Sequence, residues 1–352
     1  MIIGNKRIDF QHPPYFIADI ASNHDGDLNR AFRLIELAKE SGADAAKFQN
    51  FQASKIVSKG GFDSLEGRIS HQKSWKKSVY EVYEECSINK EWTKLLKQKC
   101  DEVGIEYMTS PYDFESVDLA DPYVNAFKIG SGDITWNDII EYIAKKNKPV
   151  LLATGASSQE DVDRALQIIC NINSKIILMQ CNTNYTMSVE NYQSINLNVL
   201  KTYSQRYPNL ILGLSDHTQD HVTVLGAIAL GARVIEKHFT DDNERTGPDH
   251  RFSLNPNSWK EMILQCGKLW LSLGDGIKKV EENEQESSLI QRRALYYSKN
   301  LSKGSVIHKE DLYPLRPMKE NGIPPYHMSE LVGKVLQTDV TEDSYAKWEE
   351  VK

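Results

Sequence analysis

Leu210-Ile211-Leu212-Gly213-Leu214-Ser215-Asp216-His217-Thr218 and Ala232-Arg233-Val234-Ile235-Glu236-Lys237-His238-Phe239-Thr240 decide the fold of this chain. Each is a short apolar run that closes on a histidine. Residues 222–230 between them are apolar and small, suited to a helix packed on a sheet. The pair is a strand–helix–strand unit with its polar residues at the strand ends, followed by a charged loop containing Gly247-Pro248-Asp249-His250. In parallel α/β folds ligands bind at those carboxyl ends. Histidines ending neighbouring parallel strands lie about one strand spacing apart, ~4.8 Å. So placed, two imidazoles can hold one divalent metal, with Asp216, Glu236 or Asp249 in or behind the ligand set. Read singly, each histidine is equally a strand cap bonded to backbone. Two successive ends, each beside a carboxylate, favour the metal.

Working outward, strand-like runs recur at residues 15–21, 43–51, 104–109, 125–129, 149–153 and 176–181, before the two at 210–214 and 233–238. Helix-like runs alternate with them. Leu28, Ala31, Phe32, Leu34, Ile35 and Ala38 fall at helical spacing, and Gly42 stands where that helix ends. Eight such alternations over about 270 residues predict an α/β fold, a closed (β/α)8 TIM barrel, over an open doubly wound sheet. No Gly-x-Gly-x-x-Gly follows the first strand, which counts against dinucleotide binding. The polar segment 52–77 is longer than a simple connection and reads as a substrate lid.

Past Leu273 the character changes. Residues 280–291 are rich in glutamate and read as a linker, partly helical. Short alternating pieces between turn signals then predict a small, mostly β module. The expected organisation is a catalytic barrel over 1–279, a linker over 280–291 and the module over 292–352.

The chain has 352 residues, 40% hydrophobic and 26% charged, as in ordinary globular proteins. A net charge of −7 argues against a nucleic-acid binder. No apolar run reaches the roughly 18–20 residues that span a bilayer, and residues 1–11 have no signal-peptide core, so a cytoplasmic, non-membrane protein is expected. The five cysteines form no Cys-x-x-Cys pair and read as reduced thiols, mostly small buried hydrophobes.

The polar strand ends collect Asp19, Lys47, Ser110, Lys128, Ser131, Asp133, Thr154, Asn182, Asn184, Tyr185, Ser215, His217, Glu236 and His238. Lysines neutralise phosphate, and hydroxyls with Gly-Ser-Gly amides add neutral donors, so the set reads as an anion site. A desolvated strand lysine forming a Schiff base is the alternative chemistry. The two histidines tilt the reading toward metal.

These residues carry a resemblance to the sialic acid (N-acetylneuraminate) synthase family over nearly the whole chain. Its motifs are Asp19-Ile20-Ala21-Ser22-Asn23-His24-Asp25-Gly26, Ala45-Ala46-Lys47-Phe48-Gln49, Thr109-Ser110-Pro111, Lys128-Ile129-Gly130-Ser131-Gly132, the two histidine stretches and Gly247-Pro248-Asp249-His250. The tail from Arg293, with Ser298-Lys299-Asn300-Leu301-Ser302-Lys303-Gly304 and Arg316-Pro317, resembles the family's antifreeze-like (SAF) domain. The resemblance implies condensation of phosphoenolpyruvate with the open-chain aldehyde of an N-acetylated amino sugar such as N-acetylmannosamine. The products are a nine-carbon 2-keto-3-deoxy acid and phosphate. It implies a divalent metal on His217 and His238, manganese first, with magnesium or cobalt as alternatives. Lys47, Ser110, Lys128, Ser131 and Ser215 match phosphoenolpyruvate-binding positions, and Asn182, Asn184, Tyr185 and Asp249 are assigned with them to substrate. Asp19, Asp133 and Glu236 are assigned to catalysis. Arg316 matches an arginine that reaches the partner subunit's site, implying a domain-swapped homodimer.

Three departures touch the substrate end. Asp19 and Asp133 stand where many members have glutamate, each carboxyl set back by about 1.5 Å, one C–C bond. Ala153 replaces a common serine. They point to acceptors other than plain N-acetylmannosamine, with legionaminic- or pseudaminic-type precursors (2,4-diacetamido-2,4,6-trideoxy hexoses) leading. A paralogue that binds sugar without catalysis is the remaining expectation.

Overall fold

The computed structural model describes residues 1–62, 72 and 75–352. The lid expected over 52–77 therefore lies in part outside the described residues; its described portion includes a short helix, Ala53–Ile56. A hairpin opens the chain, β1 (Ile2–Ile3) against β2 (Lys6–Arg7), an element the sequence reading did not contain. Eight strands then follow: β3 (Tyr15–Asp19), β4 (Ala45–Asn50), β5 (Glu106–Pro111), β6 (Phe127–Ile129), β7 (Val150–Ala153), β8 (Ile176–Cys181), β9 (Ile211–Asp216) and β10 (Val234–His238). They form a closed parallel barrel in chain order, with β10 completing the ring against β3. The expected (β/α)8 architecture is what the chain adopts.

Strand alternation sends one side chain in two toward the barrel axis. Toward the amino ends the axis is apolar: Tyr15, Ile17, Ala45, Met108, Leu151, Ile177, Met179 and Val234 pack with Ile3 and Ile8, which close that end. Two residues further along, the same parity gives Asp19, Lys47, Ser110 and Glu236, all buried. The polar layer thus rests on a dry floor and opens toward the loops that follow the strands. Side chains of the opposite parity, such as Ala18, Ala46, Phe48 and Ile235, join the larger core beneath the helices.

The helices form for local reasons. Leu28–Glu40 starts at Asp27, whose carboxylate accepts from the amides of Asn29 and Arg30, and it buries Ala31, Leu34, Ile35 and Ala38 on one face. Gly213 is required by close approach, since a Cβ there would lie 2.7 Å from the Val234 carbonyl oxygen and 3.0 Å from Met179. Only glycine lets β9 sit so near β10, and that proximity brings the two histidines together.

The chain divides after Gly274. The unit Asp275–Lys352 contains the glutamate-rich stretch, with a helix at Gln285–Ile290, and pairs β11 (Ala294–Tyr297) with β12 (Leu312–Leu315) antiparallel. It has its own core of Leu295, Tyr297, Ile307, Leu312, Ile323, Leu331, Leu336, Val340 and Ala346. Among the described residues no helix is long and apolar enough to cross a membrane.

Candidate active site

Two buried ammonium groups meet two buried carboxylates at the centre of the polar layer. Lys47 Nζ lies 2.7 Å from Asp19 and 3.8 Å from Glu236, which follows from the β3–β4 register pairing Asp19 with Lys47. Lys128 forms an ion pair with the other oxygen of Glu236, which also accepts from the Ser215 hydroxyl at 3.0 Å. Ser110 Oγ is 3.4 Å from Lys47. Burial pulls the Lys47 ammonium toward neutrality, but Asp19 and Glu236 outweigh it and the net shift is upward. Lys47 therefore stays charged, which suits an anion anchor and not a Schiff-base nucleophile. The carboxylates part company. Burial and the neighbouring Glu236 raise Asp19. For Glu236 burial also pushes upward, but Lys128 and Lys47 bring it down to about 2. Burial thus weighs more on Asp19 than on Glu236, whose two ammonium neighbours keep it anionic.

The imidazoles of His217 and His238 lie side by side, ring centres 5.4 Å apart and tilted 48°. His217 Nδ1 donates to the Asn182 carbonyl oxygen at 2.8 Å, a contact that fixes the tautomer and leaves Nε2 with its lone pair. Burial lowers both imidazoles to about 4, so both are neutral at pH 7. Among the described residues His238 Nδ1 is buried without a hydrogen-bond partner. Two rings bound through nitrogen to one ion at ~2.1 Å have centres roughly 4.5–6.5 Å apart, so this pair fits a metal. Among the described residues no third His, Cys, Asp or Glu joins them as a ligand cluster. The expectation for Asp216 is corrected here. Odd-numbered residues of β9 face the axis, so Asp216 points outward and bonds Lys237 Nζ at 2.6 Å, Thr218 and Thr223. That buried pair ties the two histidine-bearing strand ends together from behind. Lys237→Ala should strand a buried carboxylate and cost about 3–5 kcal/mol of stability, read as a lower denaturant midpoint.

Beside His238 lies an inner cavity of about 190 Å³, lined also by Gln49, Phe51, Tyr83, Tyr112 and Asp249, among others. It adjoins an outer cleft of about 1490 Å³, and Trp75, Val82, Cys86, Tyr185 and Pro248 line both. Tyr185 and Phe252 pack against the imidazoles, ring centres 4.4 Å from His217 and 4.9 Å from His238 respectively. Asp249, whose carboxyl is raised by burial, accepts from the Ser22 amide at 3.2 Å. Asp133 follows β6 in the turn Ser131–Asp133, close enough to act electrostatically on Tyr112, and burial lifts its carboxyl to about 6.

The remaining expected residues are spread differently. Ser131 accepts from the Gly155 amide at 2.9 Å, and Asn182 donates its side-chain amide to the Ser194 carbonyl. Asn184 is exposed and spends its oxygen on Thr186 and Asn191 within its own loop. Arg316 is exposed at the end of β12 in the second unit. Cys181 was missed. It is buried, 3.9 Å from His217 Nδ1, and it borders Ser131 and Ser215, so it belongs to the polar layer. Strand parity finds it, since Ile177, Met179 and Cys181 share the inward face.

A parallel barrel with paired ammoniums, buried carboxylates and neutral imidazoles at its mouth could take an anion beside a polar partner. The chain belongs to the NeuB family, whose model matches residues 34–278, and the SAF domain model matches 292–352. It is 36% identical to the N,N'-diacetyllegionaminic acid synthase of Campylobacter jejuni, over 93% of this chain and 97% of that one. It is 31% identical to the human N-acetylneuraminate-9-phosphate synthase, over 95% and 91% of the two chains. The crystal structure of N-acetylneuraminic acid synthetase from Leptospira borgpetersenii, in complex with citrate, superposes with a TM-score of 0.72 at 27% identity, covering 82% of this chain and 94% of that one.

Proposed function

We propose that this protein condenses phosphoenolpyruvate with the aldehyde of an N-acylated amino sugar, giving a nonulosonic acid and phosphate. The observation that carries the reading is the convergence of Lys47 and Lys128 on Glu236 beside the imidazole pair. C3 of phosphoenolpyruvate forms the new bond to the sugar aldehyde carbon, water adds at C2, and phosphate leaves by cleavage of the C2–O bond. Lys47 and Lys128 hold the carboxylate and phosphate, with Ser110, Ser131 and Ser215 as neutral donors. Glu236 keeps both ammoniums charged, and Asp19 holds the Lys47 ammonium in place at 2.7 Å. A divalent cation held by His217 and His238, manganese first and magnesium or cobalt as alternatives, would polarise the aldehyde oxygen as a Lewis acid.

Asp133 serves as the base that accepts the proton of the attacking water. Its carboxyl titrates near 6, so kcat/KM should rise with pH through about 6, and Asp133→Asn should flatten that limb. An unchanged profile in the variant would assign the limb elsewhere.

For the acceptor, the reading favours a 2,4-diacetamido-2,4,6-trideoxy hexose of the legionaminic type. Of the two shortened carboxylates, Asp19 is engaged by Lys47, whereas Asp133 acts electrostatically on Tyr112, which lines the inner cavity. Aromatic walls at Phe51, Tyr83, Tyr112 and Tyr185 suit acetamido and methyl groups better than extra hydroxyls. A homodimer exchanging Arg316 belongs to the same reading, supported by that residue's exposure. The test is phosphate release with manganese across N-acetylmannosamine, its 6-phosphate and diacetamido sugars, with products read by mass spectrometry. Turnover best with a diacetamido sugar supports the reading, preference for N-acetylmannosamine overturns the acceptor, and silence with all of them overturns the function.

A further inference from the structure

We infer that His250, a residue outside the chemistry described above, is a positioning residue that sets the acceptor pocket by locking the loop after β10 onto the loop after β3. The inference rests on the proposed function for its consequence and on contacts alone for its geometry. His250 is fully buried, and both ring nitrogens are engaged: Nε2 with Asp25 Oδ1 at 2.8 Å and Nδ1 with the Thr240 hydroxyl at 2.7 Å. Asp25 stands 225 positions away in sequence, so this bond joins the two loops directly. Arg245 reaches the other oxygen of Asp25 at 2.8 and 3.0 Å, and Arg30 lies 3.1 Å from it.

Parallel stitches run beside this one. Asn23 donates to the Phe239 carbonyl and to Ser253 Oγ, both at 2.9 Å, and Ser253 Oγ donates to the Asp249 carbonyl at 2.6 Å. Asp249 is thereby held next to His238 on the wall of the inner cavity, while Asp25, Arg245 and Gly247 face the outer cleft. A second observation is independent of these bonds. A Cβ on Gly247 would lie 2.6 Å from His250 Cδ2, 3.0 Å from its Nε2 and 3.4 Å from Asp25 Oδ1. The glycine is the space into which the His250–Asp25 bond fits, so the loop's sequence and the buried histidine answer one requirement. Charge handling is not needed of His250, because both nitrogens are already committed. Its work is to fix where Asp249 stands.

The test uses the full chain with His250→Ala, His250→Gln and Gly247→Ala. His250→Ala should raise the acceptor KM at least tenfold while the phosphoenolpyruvate KM stays within twofold. Gln, whose amide can reach Asp25 again, should recover most of that loss. Gly247→Ala should reproduce the acceptor defect while removing no hydrogen-bonding group. Hydrogen exchange read on the same proteins should rise in 241–253 and 22–27 and stay unchanged in β4, β6 and β10. Parallel rises in both KM values, no recovery with Gln, or unchanged exchange in the two loops would each overturn the inference. Loss of turnover in the unmodified protein with every acceptor bears on the proposed function instead, and the exchange measurement still decides this one.

Discussion

Lys128→Met should lower kcat/KM for phosphoenolpyruvate by about a thousandfold while the protein remains folded. Lys128 is buried with its ammonium on Glu236, and methionine keeps the length of the stem while removing the charge. Removing one partner from a buried, hydrogen-bonded charge contact costs about 2–5 kcal/mol of binding, and each 1.36 kcal/mol is about tenfold, so the loss lies near 10²–10³. The folded state tolerates the change because Glu236 retains Ser215 at 3.0 Å and Lys47 at 3.8 Å. An anion held there would have no such reserve, since it would lose one of its two ammoniums. Lys47→Met should be as damaging to turnover and worse for stability, because it also strands Asp19. Phosphate release against phosphoenolpyruvate concentration, with thermal melting as control, checks both. A loss under tenfold would mean the anion sits elsewhere. The same arrangement bears on the Schiff-base alternative: with Lys47 held charged by Asp19 and Glu236, borohydride with pyruvate should leave it unmodified.

The barrel was legible because each apolar run ends in polar residues and the runs recur at one spacing. Parity within those runs carries more than was read from it. In β9 and β10 the positions 215, 217, 236 and 238 share the inward face, so Asp216 and Lys237 must face the helices, where they pair. The assignment of Asp216 beside the metal followed from its adjacency to His217 along the chain, and alternation reverses it. Cys181 was passed over for the opposite reason, as a thiol read by composition and not by position. Other features lie beyond any single-sequence pattern. The contact of Asp19 with Lys47 depends on the β3–β4 register, which barrel closure sets. The Asn182 carbonyl that orients His217 is backbone and leaves no mark in residue type. The bond from His250 to Asp25 joins opposite ends of the barrel sequence, where no local period reaches.

Chelation should abolish phosphate release, manganese should restore it, and His238→Ala should weaken manganese binding at least a hundredfold as read by electron paramagnetic resonance. Two neutral imidazoles with centres 5.4 Å apart would be the protein's nitrogen donors, and among the described residues no carboxylate or thiol completes a cluster with them. A site with so few protein ligands would hold an ion loosely and leave positions for substrate and water, so a chelator should strip it. His217→Ala should be equally severe for the metal and the costlier single change for folding, because it leaves the Asn182 carbonyl without its donor and removes the ring that Tyr185 packs on. Removing His238 also opens space beside Phe252 and Asp249, so its variant should lose acceptor affinity as well. The double variant should bind phosphoenolpyruvate within a few-fold of normal if, as proposed, the lysines hold that substrate independently of the imidazoles. Full turnover in chelator, or variants that bind manganese as the unmodified protein does, would leave the neutral histidines as mere lining. Polarisation of the aldehyde would then have to come from the ammonium groups, at the expense of the anion they hold.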